Sequence, residues 1–277
     1  FCNQSKTAFT RQYDCHAGAK IYDNLVWVRN MSYYMPLVQN LKISRAIYGI
    51  QDAGIACHDP LFDSLEEMAS FYIEVMKTHQ PHGPYAIAGS SFGANASVEM
   101  ARQLIERGES VAFVGLIDGW ARYPDEANNN RQWFEKNLAD QLQQMHTLLP
   151  DTELSDLLLD LHWHRQQLLV QYHCQDNLDI PLILFKAKET MPVLQPLESP
   201  YNNWEKYCKN PPTIYQVPGD HFTMHFTPHV EQLAAALQTC LSEIGHSISC
   251  TNDTPTISKP IESNTLKNVM IKHYQIY

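Results

Sequence analysis

Residues 85–100 read YAIAGSSFGANASVEM, and three patterns meet inside that stretch. Tyr85–Ala88 is a short apolar run, Gly89–Gly93 spells G-S-S-F-G, and from Ala94 onward the spacing becomes helical. A G-x-S-x-G sequence between a strand and a helix has a mechanical meaning. The serine occupies a sharp, strained turn, the flanking glycines let the chain fold tightly, and the hydroxyl rises above the sheet edge. Ser91 is therefore a candidate nucleophile; the alternative is a serine in an ordinary tight turn. The same placement aims the Phe92 N–H at a developing oxyanion, with the partial positive charge of a helix N-terminus behind it. Ala94 and Ala96 keep the helix slim where it packs on the sheet.

Outward from this stretch, strands alternate with helices. Asn24–Val28 and Ala46–Ile50 read as strands, with a helical segment over Met35–Leu41 between them. Ser64, followed by Glu67, is a helix N-cap, and Leu65, Met68, Ala69, Tyr72, Ile73 and Met76 keep a 3.6-residue period to about His79. Pro84–Gly89 is the strand before the serine, and Phe92–Arg107 the helix after it, ended by Gly108. Val111–Ile117, Ile180–Phe185 and Thr213–Val217 read as further strands, and His229–Ile244 as a last amphipathic helix. Residues 122–178 break the alternation. They are long, polar, Gln- and Leu-rich and helical in period. The expected fold class is α/β, a mostly parallel sheet covered by helices on both faces, with an inserted helical lid at about 122–178. Residues 1–24 read as a linker or extension. From Ser247 to Tyr277 the chain is rich in Ser, Thr, Asn and Pro and loses periodicity, so 247–277 reads as a disordered tail dispensable for folding.

The chain has 277 residues, 30 Asp and Glu against 20 Lys and Arg, and a formal charge of −10. That balance argues against nucleic acid or an anionic membrane as the main partner. No apolar run approaches the ~20 residues of a membrane span. The N-terminus, FCNQS, lacks the apolar centre of a signal peptide and suggests a piece of something longer. Seven cysteines at irregular spacing, with no C-x-x-C, point to reduced thiols and a cytoplasmic location.

A serine needs a base, and this fold expects the order Ser, then Asp or Glu, then His. Asp118 ends the strand Val111–Ile117, at the carboxyl edge where such sheets bind ligands. Glu189 follows the next strand and is a rival. His221, in VPGDHF between the last strand and the last helix, is placed to reach the serine. His162 and His164, two apart on a helix, face different ways. His221, His225 and His229 are spaced like a metal face, but Pro228 breaks a helix there and no Cys or acidic cluster completes a site. No metal is expected.

Five segments together resemble one family: Ile47–Gln51, Gly83–Tyr85 with Gly89–Gly93, Leu116–Asp118, Phe185–Glu189, and Pro218–Met224. They are similar to the thioesterase domains of nonribosomal peptide synthetases and polyketide synthases, over roughly residues 25–245. The resemblance implies an α/β-hydrolase fold with a helical lid, and it favours Asp118 over Glu189 as the acid. It implies a triad of Ser91, Asp118 and His221, no cofactor of the domain's own, and a substrate held on the phosphopantetheine arm of a carrier protein. The domain implied runs from 25 to 246. The expected activity is release of an acyl or peptidyl chain by hydrolysis or cyclisation. The acyl pocket is expected from Leu148, Leu149, Leu157, Leu158, Leu161 and Trp163, although ordinary helix packing explains these residues as well. One departure stands out. The family carries a His-Pro-x-Gly-Gly type loop after its first core strand, supplying the second oxyanion donor; here Arg29–Pro36 reads RNMSYYMP, which places that donor near Asn30 with no glycine pair. His16–Ala19 resembles the loop faintly but lies early. The alternatives are a free-standing editing thioesterase, a carboxylesterase or lipase, and a catalytically silent domain that only binds a carrier or acyl group.

Overall fold

The computed structural model describes residues 25–28, 34–43, 47–50, 62–125, 129–146, 156–175, 178–197, 199–248 and 271–274. The 1–24 extension, the loop around Asn30, and Leu148 and Leu149 lie outside the described residues, as do the side chains of Leu157 and Leu158.

The strands are β1 (Leu25–Val28), β2 (Ile47–Ile50), β3 (Tyr85–Ser90), β4 (Val111–Ile117), β5 (Leu182–Ala187), β6 (Thr213–Val217) and β7 (Ile271–Tyr274). They form one sheet in the order β6-β5-β4-β3-β1-β2-β7. All neighbours pair in parallel except β2 and β7. The helices are α1 (Met35–Asn40), α2 (Leu65–Lys77), α3 (Phe92–Glu106), α4 (Arg131–His146), α5 (Asp156–Gln171) and α6 (His229–Ile248).

Side chains alternate across the sheet, as strand geometry requires. Ala86 and Ala88 of β3, Phe113 and Ile117 of β4, and Phe185 and Ala187 of β5 join Leu37 and Val38 of α1 and Val230, Leu233 and Leu237 of α6 in one core. On the opposite face, Tyr85 and Ile87 pack against Leu65, Met68 and Ile73 of α2 and Met100 and Leu104 of α3. Val114, Leu116, Leu182 and Leu184 meet Ala94, Val98 and Trp204. Each such fully buried side chain contributes on the order of 1.5–3 kcal/mol. The sheet is covered on both faces, as the alternation of elements predicts.

Several boundaries differ from the sequence reading by a few residues. β5 begins at Leu182 and runs on to Ala187, two residues later than expected, because Pro181 has no N–H to give the ladder and offers only its carbonyl, to the Val114 N–H. The tail, read as mostly disordered, holds one described strand. Ile271–Tyr274 is a strand, antiparallel to β2, with Ile50 opposite Ile271 and Ile47 opposite Tyr274. Its β-branched and aromatic residues suit an edge strand, but the run is too short to stand out in a polar segment. The last helix also continues to Ile248.

Candidate active site

The site is built where β3, β4, β5 and β6 end side by side. Ser90 is in register with Ile117, so Ser91 and Asp118 leave adjacent strands at the same level. Ser91 is the N-cap of α3 with φ 54° and ψ −125°, a conformation that costs an L-residue on the order of 1–3 kcal/mol. Two backbone hydrogen bonds hold the turn: the Ser91 N–H donates to Ile117 O at 3.2 Å, and Ser91 O accepts the Ala94 N–H at 2.9 Å. The positive φ thus falls on the serine itself. Gly89 is required for a different reason, since a Cβ there would sit 2.1 Å from Gly93 O. Gly119 has a similar role, because its Cβ would lie 2.1 Å from the Cβ of Ala94. A slim first turn on α3 and a bare residue after Asp118 bring the Ser91 turn and the end of β4 together. Phe92 opens α3, and first-turn N–H groups of a helix have no partner within it.

Asp118 also has positive φ, 43°, and is 5% exposed. Its Oδ2 lies 2.8 Å from Nδ1 of His221, which is 7% exposed. Its Oδ1 accepts the Ala187 N–H at 3.1 Å and the Asn202 Nδ2 at 3.3 Å. Glu189 is exposed, and its N–H donates to Gly219 O at 3.1 Å. Lys186 is 6% exposed, its Nζ donates to Ser199 O and Pro200 O, and it lies 5.8 Å from the centre of the Trp120 ring. The structure therefore brings Asp118 and His221 together and leaves Glu189 outside.

The His221 loop has its own brace. Asp220 Oδ1 accepts the N–H groups of Phe222 and Thr223 at 2.9 and 2.8 Å and the Thr223 hydroxyl at 2.9 Å, while Thr223 Oγ1 accepts the Asp220 N–H at 2.9 Å. Burial alone would raise the Asp220 carboxyl. The Thr223 and Phe222 donors and the adjacent His221 outweigh it and hold the group below its ordinary value. His225, four residues on, is fully buried and its Nε2 lies 3.1 Å from Ser90 Oγ. The Ser90 N–H donates to the Tyr34 hydroxyl at 2.9 Å. Ser90, next to Ser91, is thus tied both to the segment after β1 and to the loop that follows His221. Sequence spacing offered His225 only as part of a metal face; its link to Ser90 has no local signature. Among the described residues, no group of three His, Cys, Asp or Glu side chains gathers to hold a metal ion.

Between β4 and β5, α4 and α5 form an inserted helical pair, with Phe134 and Trp163 edge to face at 5.4 Å. Leu161 is 3% exposed, and Leu168 belongs to the core of α2 and α3. His164 Nε2 lies 2.7 Å from Phe62 O, and the Tyr172 hydroxyl donates to the buried Glu99 of α3 at 2.9 Å.

The model of the thioesterase domain matches residues 30–241. The chain belongs to the thioesterase-domain family. Among its relatives is "Inactive atromentin synthetase invA4" of Paxillus involutus, 27% identical over 76% of this chain and 26% of that protein. Atromentin synthetase of Tapinella panuoides is 40% identical over 31% of this chain and 9% of that protein. This thioesterase domain therefore spans about a quarter or less of the length of these relatives. A crystal structure of the NocB thioesterase domain, in covalent complex with a fluorophosphonate nocardicin G analog, shares the fold. Its TM-score is 0.64 at 22% identity, covering 79% of this chain and 94% of that one. The fold is accordingly that of the α/β-hydrolase thioesterases, as the sequence motifs imply. No helix among the described residues is long and apolar enough to cross a membrane.

Proposed function

We propose that this thioesterase domain is a serine hydrolase that releases an acyl or peptidyl chain from the phosphopantetheine thiol of a carrier protein, within nonribosomal peptide or related biosynthesis. The observation that carries the reading is the buried Asp118–His221 contact of 2.8 Å, at the strand end beside the strained Ser91 turn.

The chemistry follows from the geometry. His221 takes the Ser91 proton at Nε2 as Oγ attacks the thioester carbonyl, and Asp118 fixes the imidazole tautomer through Nδ1 and balances the cation that forms. The Phe92 N–H and the amino end of α3 stabilise the oxyanion. The expected second donor, near Asn30, lies outside the described residues. Collapse of the tetrahedral intermediate breaks the C–S bond, and the thiol leaves with the proton held by His221. Water, or a nucleophile within the acyl chain, then attacks the Ser91 ester with His221 again as base. The α4–α5 pair forms the cover over the acyl chain, with Leu161 and Trp163 as candidate lining residues.

A second reading, a domain that binds without turning over, is favoured by the name of the Paxillus involutus relative, which describes that synthetase as inactive. Steady-state hydrolysis of a short acyl thioester separates the two. The first reading expects turnover that Ser91→Ala abolishes. Rates at the uncatalysed background in the parent chain would establish the second.

A further inference from the structure

Asn202 is fully buried in the segment that follows the 3-10 turn Gln195–Leu197, and it is one of two consecutive asparagines with positive φ, 51° at Asn202 and 67° at Asn203. Asparagine tolerates that conformation better than most side chains. The segment is fastened to the end of β4 at several points. The Ala121 N–H donates to Asn202 O at 3.0 Å, and the Trp204 Nε1–H donates to Gly119 O at 3.0 Å. The Asn202 Nδ2 donates to Asp118 Oδ1 at 3.3 Å and Gly119 O at 3.4 Å. The orientation of the amide follows from these partners. Turning it over would set its oxygen against a carboxylate oxygen and a carbonyl oxygen, both acceptors.

We propose that Asn202 is a positioning residue for the acid of the Ser91–His221–Asp118 site. It holds the carboxylate plane of Asp118 through Oδ1 so that Oδ2 faces His221. A buried carboxylate needs its lone pairs satisfied. Ala187 supplies one donor to Oδ1 from β5, and Asn202 another from the segment after the 3-10 turn Gln195–Leu197. The inference rests on the reading of Asp118 as the acid.

Asn202→Gly keeps the positive φ at no steric cost and removes only the amide. Asn202→Asp keeps the shape and replaces a donor by a carboxyl beside Asp118. The charged groups nearby are His221 and Asp220 on the loop after β6, and Lys186 of β5, whose Nζ is committed to Ser199 O and Pro200 O. With the 277-residue chain and a short acyl thioester, kcat of Asn202→Gly falls by roughly tenfold at unchanged KM, the size seen when partners of a functional ligand are removed. In Asn202→Asp the new carboxyl lies buried beside Asp118, and two carboxyls that close share a proton, so a donor to Oδ1 is kept while the pair holds that proton and lost when it leaves. The pH–rate profile of Asn202→Asp then gains a fall on the basic side that the parent lacks, an effect that loss of packing alone does not produce. The proposal is overturned if Asn202→Gly keeps the parental kcat. It is equally overturned if Asn202→Asp lowers the rate by the same factor at every pH. Asp118→Asn is measured alongside. If it is crippled while Asn202→Gly is not, this inference alone fails. If Asp118→Asn turns over at the parental rate, the assignment of the acid fails and this inference falls with it.

Discussion

At the scale of the residue, the choice between Asp118 and Glu189 is one of geometry. Both follow apolar strands, but a triad acid has to be held against the imidazole. Asp118 is buried at 2.8 Å from His221 Nδ1, whereas Glu189 is exposed. Asp118→Asn is expected to lower turnover by roughly the ~10⁴-fold seen when the corresponding acid of a serine protease is neutralised, because the amide favours the wrong tautomer. Glu189→Gln is expected to change it by less than about tenfold, or ~1.4 kcal/mol. A more damaging Glu189→Gln, measured as kcat on a short acyl thioester, would reverse the assignment. Ser91, Asp118 and His221 were legible because each ends an apolar strand or follows it by a few residues. Asn202 and the Ser90–His225 contact were not. They join positions 84 and 135 residues apart, and nothing local marks either partner.

At the scale of the element, the loop carrying His221 depends on Asp220. A carboxyl held below its ordinary value of ~3.9 contributes stability that is full above that value and disappears as the pH falls through the lowered one. The melting temperature of Asp220→Asn is therefore expected to lie below the parent's near pH 7. The gap should narrow towards pH 3. Thermal melts across that range check it, and a gap independent of pH would mean that the charge on Asp220 is not what braces the loop. The long regular elements were the legible ones. Val111–Ile117 and Thr213–Val217 appear with the expected bounds, because continuous apolar or β-branched runs bounded by turn residues have few other ways to be buried. Ser64 caps α2 as its sequence suggests, its Oγ accepting the Glu67 N–H at 3.0 Å, although the Glu67 carboxylate reaches back to the Asp63 N–H rather than to that of Ser64. The 3-10 turns around Trp204 and Met224 are set by tertiary contacts and had no periodic signal.

At the scale of the whole molecule, the sheet has two halves with different duties. β3 to β6 lead into Ser91, Asp118 and His221, and β2 with β7 closes the far edge. Open strand edges invite pairing with other chains. A chain ended at Ile248 is therefore expected to melt lower, by about 2–4 °C for each kcal/mol lost, and to self-associate more readily, with kcat per folded molecule unchanged. An unchanged melting temperature would mean that β7 adds nothing to the sheet. The central claim is that the strained turn, the buried Asp118–His221 pair and the helix N-terminus together activate one serine. The most direct test is incubation with an acyl fluorophosphonate followed by peptide mapping in a mass spectrometer. The account predicts a single adduct on Ser91, absent in Ser91→Ala and formed far more slowly in His221→Ala. An unlabelled parent chain, or an adduct on Ser90, would contradict it.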